Sequence, residues 1–261
     1  MEHETKTKPK TRWHHLLDKY LEELLIPVGI DVLTDVAVMS DPPEADILLL
    51  RKKHSKWTEE QKELLPDGIR DSQATDILLE FKYTESVNDK AFRQTVCYDY
   101  LYRIAKQKKQ PEVQTFLLSA KTTQRATLEK FAYSQSCVQG VYKSDNPFLK
   151  DIPLLSLNEL SDELHNAYIK CFASRKKEKR IAYKILERKG LNTFNEKFQN
   201  VLKGLLNVFF SLKGETMELN FTPEEVAEMG KRWGRLVLSG LSPEDVLSMY
   251  GKDKLASFIL P

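Results

Sequence analysis

The stretch Asp76-Ile77-Leu78-Leu79-Glu80-Phe81-Lys82-Tyr83 decides how the rest of the chain is read. Its apolar run predicts a buried β-strand. Strand side chains alternate between faces, so Ile77, Leu79 and Phe81 point one way and Leu78, Glu80 and Lys82 the other. A carboxylate and an amine therefore stand side by side on one face of an apolar strand. Burying both is costly unless they share a partner: a metal ion, a phosphate or each other. Asp76 shares their face and is expected to cap the strand entry.

Working outward, Trp13, Leu16, Leu17, Tyr20, Leu21, Leu24 and Leu25 recur at helical spacing and predict a helix over 12–25 that Pro27 ends. Strands are predicted over 30–39 and 45–51, divided by the turn Ser40-Asp41-Pro42-Pro43-Glu44. The polar segment 54–70 carries the turn signal Pro66-Asp67-Gly68. After the central strand, Ser86 or Asn88 is a good N-cap for a helix over 89–108. A strand over 113–119, a helix over 122–134 and short strands over 138–142 and 152–157 follow. The expected fold class is α/β: a mixed sheet flanked by helices, with an all-helical C-terminal region. Helices are expected over 158–172, 175–188 and 193–212. Two more follow Thr222-Pro223-Glu224-Glu225 and Ser242-Pro243-Glu244-Asp245, each with a hydroxyl N-cap, Pro at the first helical position and acids in the first turn. The expected organisation is a flexible basic tail over 1–11, a domain over 12–173 and a helical region over 174–261.

With 261 residues, 41% hydrophobic and 30% charged, the composition is that of an ordinary globular protein. No apolar run reaches the roughly 18–20 residues of a membrane span, so no membrane partner is expected. The polar N-terminus lacks the apolar core of a signal peptide. Cys97, Cys137 and Cys171 are scattered without CxxC spacing, which points to a reducing, cytoplasmic setting and to buried apolar thiols rather than nucleophiles. His14 and His15 adjoin no carboxylate pattern that would complete a metal site. Net charge is +2, too small by itself to mark a nucleic-acid binder. Basic clusters lie at Lys6–Arg12, Arg51–Lys56, Arg103–Lys109 and Arg175–Arg180, and most such runs are solvated faces.

Phosphodiester hydrolysis needs a metal to activate water and neutralise the phosphate. Mg²⁺ takes oxygen ligands and keeps several waters, so two carboxylates and a backbone carbonyl suffice. Asp46 heads the strand before Glu80. If the two strands form a hairpin, both carboxylates could converge on one ion, with the Phe81 carbonyl as third ligand. Lys82 would then activate the attacking water or stabilise the developing charge. Asp41 is the runner-up for Asp46, and Glu22 or Glu23 could add a ligand, although both suit a solvated helix face. On the next helix, Gln94 and Tyr98 are four apart and share a face. Gln94 could bond the lysine, the water or a phosphate. Tyr98 could stack on a base.

The order Asp46, Glu80-x-Lys82, Gln94-x-x-x-Tyr98 resembles the PD-(D/E)xK nuclease superfamily, which includes type II restriction endonucleases and RecB-like nucleases. The run from Glu80 through Arg93-Gln94 is similar to the Rpn, or YhgA-like putative transposase, group, and the likeness spans about residues 12–160. It implies a restriction-endonuclease-like fold and a Mg²⁺- or Mn²⁺-dependent DNA endonuclease acting in recombination, mobile elements or defence. It implies Asp46 and Glu80 as metal ligands, Lys82 as the catalytic lysine and Gln94 as an auxiliary catalytic residue, with Arg93 and Tyr98 touching nucleic acid. Ala45 stands where the pattern expects Pro, and Lys82 where many Rpn members have glutamine. The rival reading is a nuclease-fold domain that no longer cuts and serves as a nucleic-acid-binding or protein-interaction module. In the tail, Val201, Leu205, Leu206, Phe209 and Phe210 form an apolar stripe suited to a homodimer or to docking a partner, and packing on the preceding domain accounts for it equally.

Overall fold

The structure, a computed structural model, describes residues 13–33, 47–52, 56–189, 194–210 and 222–239. Their element order is α1 (Trp13–Leu25), β1 (Ile30–Leu33), β2 (Ile47–Lys52), α2 (Glu59–Leu64), β3 (Asp76–Lys82), α3 (Asp89–Ala105), β4 (Val113–Ser119), α4 (Arg125–Lys130), β5 (Tyr133–Gln135), β6 (Val141–Ser144), β7 (Leu154–Ser156), α5 (Leu164–Lys170), α6 (Lys176–Lys189), α7 (Glu196–Phe210) and α8 (Pro223–Ser239). The class is α/β: a mixed sheet flanked by helices, followed by a helical C-terminal region.

The sheet has seven strands in the order β1-β2-β3-β4-β7-β6-β5. β3 is central and pairs antiparallel with β2 on one side and parallel with β4 on the other. Its residues are buried up to Phe81, and Lys82 is half-buried. Registered neighbours share a face, so Leu49, Leu78 and Thr115 line one side of the sheet together with Arg51, Asp76 and Val113. α3 covers that side. Tyr102 packs with Leu49, Leu78 and Val113, and Phe92 and Ala91 pack with Leu117 and Leu154. On the opposite face Phe81 meets Phe172 edge-on at 6.0 Å, and Tyr83 stacks on Trp13 of α1 at 4.0 Å.

Local chemistry fixes the ends of the elements that carry the candidate residues. Asn88 caps α3, its side chain accepting from the Ala91 N–H at 3.0 Å. The N-cap therefore falls on Asn88 rather than Ser86. α1 buries Leu16, Leu17, Tyr20, Leu21, Leu24 and Leu25 and ends in a 3₁₀ turn, where Gly29 takes the left-handed conformation at φ 79°.

Two expectations change. The polar segment before β3 contains α2, which carries a full capping box: Thr58 accepts from Gln61 N and Gln61 Oε1 accepts from Thr58 N. The helix expected over 122–134 is only α4, because Ala132 turns left-handed at φ 54° and the chain re-enters the sheet as β5. The strand expected over 30–39 is seen over its described part as β1, Ile30–Leu33, and residues 34–39 lie outside the described residues.

The chain divides into two compact units, Arg12–Phe194 and one built on Asn195–Pro261. The change of pattern near Ala173-Ser174 does not coincide with that division. α6 stays with the first unit because it buries Lys179, Ala182, Tyr183 and Leu186, and Lys179 donates to Tyr83 at 2.8 Å. In the second unit α7 and α8 approach backbone to backbone. A Cβ on Gly204 would strike the Val226 carbonyl, and one on Gly230 the Asn200 carbonyl. The tail over 1–11 and the helix after Ser242-Pro243 lie outside the described residues. Among the described residues, no helix is long and apolar enough to cross a membrane.

Candidate active site

Glu80 is fully buried, and its carboxylate Oε1 lies 2.6 Å from Lys82 Nζ, whose side chain is 16% exposed. The pair sits near the C-terminal end of β3, beside the N-terminal half of α3. Because α3 runs back along β3, its residues at four-residue intervals meet the strand in reverse order. Gln94 Oε1 accepts from Lys82 Nζ at 3.2 Å, and Gln94 Nε2 donates to the Tyr98 hydroxyl at 2.5 Å. Tyr98 also packs on the cluster of Leu49, Leu78 and Tyr102, so it is half-buried and orients Gln94 rather than presenting a free ring. The sequence therefore brings Glu80, Lys82, Gln94 and Tyr98 into one chain of contacts. Arg93 is exposed and lies outside that chain.

Asp46 and its runner-up Asp41 lie outside the described residues. The antiparallel pairing of β2 with β3 is described as far as Ile47 opposite Glu80, and Ile47 is the residue after Asp46 in sequence. Among the described residues, no three His, Cys, Asp or Glu side chains gather as a metal site. Glu22 and Glu23 both pair with Lys19, at 3.2 and 3.0 Å. His15 leans on Asp18 at 3.8 Å.

Asp76 is not a strand cap. It is nearly fully buried at 1% exposure and gathers three groups from separate places in the chain. The Tyr102 hydroxyl donates to it at 2.7 Å, Arg51 Nε donates at 3.2 Å and Lys108 Nζ stands 3.6 Å away. Burial alone would raise its carboxyl, but the bonds from Tyr102 and Arg51 outweigh burial and hold it below the ordinary value. Tyr102 is pushed up to about 12, by burial first and by Asp76 second.

Each described basic cluster turns a cation inward, while Lys56, Lys106, Lys109, Arg175, Lys176, Lys177 and Arg180 are exposed. Lys52 is buried, donates to the Ser72 carbonyl at 2.7 Å and lies over the Trp57 ring. Arg103 is bound by Asp99 at 2.8 and 2.9 Å. Lys179 is buried in the sheet–α6 interface, and burial lowers its amine to about 8. Of the thiols, Cys171 is buried as expected, whereas Cys97 and Cys137 are exposed.

One polar cluster escaped the sequence reading. Asp67, in the expected turn, accepts from Asn166 Nδ2 at 2.7 Å and meets His165 Nε2 at 2.8 Å, while its N–H donates to Asn166 at 2.9 Å. The partners lie about a hundred residues apart in sequence, and no local signal joins them. The cluster ties the turn to α5. A polar cavity of 450 Å³, lined by Gln135, Gln139, Asn158, Glu159, Asp162 and Lys170 among others, shares no residue with the Glu80 constellation.

Comparison with known proteins adds no further constraint: no family model, curated protein or solved structure matches the chain.

Proposed function

We propose that the chain is a metal-dependent nuclease of PD-(D/E)xK type, close to the Rpn group, that hydrolyses phosphodiester bonds of DNA. The observation that carries this reading is the 2.6 Å pairing of Lys82 with a fully buried Glu80, with Gln94 bonded to the same amine. Leaving a carboxylate and an ammonium this deep in a sheet is costly, and a well-packed apolar pair would often serve stability as well or better. Function is a sufficient reason to retain them.

Glu80 offers hard oxygen donors of the kind Mg²⁺ or Mn²⁺ takes, so the residues suit such an ion. Glu80, Asp46 and the Phe81 carbonyl would hold it. When bound, the ion supplies an acidified water and neutralises charge on the phosphate. Lys82 orients the attacking water and stabilises the charge developing on the phosphate, Gln94 fixes the amine in place, and Tyr98 fixes Gln94. Arg93, exposed beside Gln94, contacts a neighbouring phosphate.

The test is cleavage of plasmid and oligonucleotide DNA with Mg²⁺, Mn²⁺ or EDTA. Metal-dependent cleavage is expected, falling about 10²–10⁴-fold in each of Asp46→Ala, Glu80→Ala and Lys82→Ala, with the fold checked by circular dichroism. Cleavage that survives all three changes refutes the assignment. The second reading is a nuclease-fold module that binds nucleic acid or protein without cutting, and Lys52, Arg103 and Lys179, engaged internally, favour it by thinning the basic rim a DNA-cutting surface needs. Metal-independent DNA binding with no cleavage by the wild type would select it. A homodimer through α7 and α8 also belongs to the proposal. A monomeric mass in light scattering would remove it.

A further inference from the structure

The outward side of α3 is not used by the proposed chemistry. Arg93, Cys97, Tyr100 and Ile104 follow helical spacing and share one face, and all four are exposed. Tyr100 and Ile104 leave 62% and 61% of their surface in solvent, whereas Tyr102, two residues on from Tyr100, is fully buried. Lys90 is exposed at the start of the same helix. α3 has two carboxylates, and both are paired within the chain: Asp89 with the exposed Lys130 at 2.5 Å and Asp99 with Arg103 at 2.8 Å. Lys90 and Arg93 carry no ion pair among the described residues. The face thus combines two available positive charges, an exposed ring and aliphatic surface, with no uncompensated negative charge on the helix. It also borders the candidate site, because Gln94, next to Arg93, holds Lys82 at 3.2 Å.

We propose that this face of α3 is a track for single-stranded DNA, with phosphates on Lys90 and Arg93 and a base stacked on Tyr100 beside Ile104. The proposal rests on the nuclease reading, since the track would deliver a strand to Lys82. Charge complementarity selects a polyanion. The exposed ring selects an unpaired strand. A duplex keeps its bases inside the stack, so Tyr100 and Ile104 would meet only sugar and phosphate. An unstacked base covers both, and every base has a face that stacks.

Fluorescence anisotropy in EDTA, on the full chain, measures binding without cleavage. The probes are a labelled mixed-sequence single strand and its duplex. The single strand is expected to bind at least about tenfold tighter than the duplex. Tyr100→Ala weakens single-strand binding by about tenfold or more and Tyr100→Phe restores it, because stacking needs the ring and not the hydroxyl. Lys90→Ala and Arg93→Ala each lower the slope of log affinity against log salt by about 0.7. Equal or tighter duplex binding, no measurable single-strand binding, or wild-type affinity in Tyr100→Ala overturns the track. Cleavage assays run in parallel separate the two readings. Metal-dependent cleavage lost in Glu80→Ala, with Tyr100→Ala binding like wild type, sinks the track and spares the nuclease. Tyr100-dependent binding without any metal-dependent cleavage upholds the track and sinks the nuclease.

Discussion

Asp76 and Glu80 stand on the same face of β3, four residues apart and equally buried, yet their surroundings differ in kind. Asp76 is gripped from a distance: Arg51 comes from β2, Tyr102 from α3 and Lys108 from the turn after α3. Glu80 is paired with Lys82, two residues on along the same strand. A carboxylate that joins three segments offsets its desolvation by fixing the tertiary structure. The Glu80–Lys82 pair is made within one strand and continues to Gln94 of α3, at the strand end where the proposed chemistry would take place. On the proposed reading the two ends of β3 divide the labour, with Asp76 as a structural anchor and Glu80 as the reactive carboxylate.

The sharpest break of this comparison is the exchange of phenotypes. Asp76→Ala takes the carboxylate from Arg51 and leaves Lys108 with Glu112, and it should cost about 3 kcal/mol of stability, read by urea unfolding. Glu80→Ala should cost at least about 1 kcal/mol less than that while removing cleavage. Equal losses of stability would erase the distinction. The pH dependence points the same way. The carboxyl of Asp76 lies below its ordinary 3.8 in the folded state, so its contribution is complete above that value. It is lost as the pH falls through the folded-state value, and Asp76→Asn should flatten this acid limb of the stability curve.

A smaller effect sharpens the contrast with the opposite face. Burial lowers Lys179 to about 8 from an ordinary 10.5, so above pH 8 the unfolded chain holds more protons than the folded one and stability rises with pH. Burial raises Cys171, whose ordinary value is 9.0, and that opposes the gain at higher pH. The clean window is therefore pH 8 to 9, where the wild type should gain up to about 1 kcal/mol relative to Lys179→Met. Coincident curves for the two proteins would show that Lys179 keeps its ordinary proton affinity. Smallest is Tyr98→Phe, which removes the hydroxyl that accepts from Gln94 and should cost about 0.5 kcal/mol. A change in cleavage rate without a change in KM would place Tyr98 as a positioning residue.

Much of this was legible before the fold was known. Period-two alternation put Glu80 and Lys82 on one face of β3, and the Asn88 cap fixed the start of α3, which in turn set Gln94 and Tyr98 one turn apart. The helix α2 was legible too, in the capping box Thr58-Glu59-Glu60-Gln61, but its polar composition disguised it. β5 was not legible, because Tyr133 reads as the last turn of an amphipathic helix until the left-handed Ala132 breaks it. The fate of the basic clusters was also hidden. A lysine run looks the same in sequence whether its amines face solvent or, like Lys52 and Lys179, fold back onto a carbonyl and a phenol.

The sequence by itself determined the strand, the face and the spacing, because backbone geometry converts residue number into direction over short distances. Only the tertiary structure decided which partners those directions meet. It set Gln94 rather than Tyr98 on Lys82, gave Asp76 its three distant partners and left Tyr100 in solvent while burying Tyr102. The reason is that strand pairing and helix packing join segments far apart in the chain, and no local pattern encodes those distances.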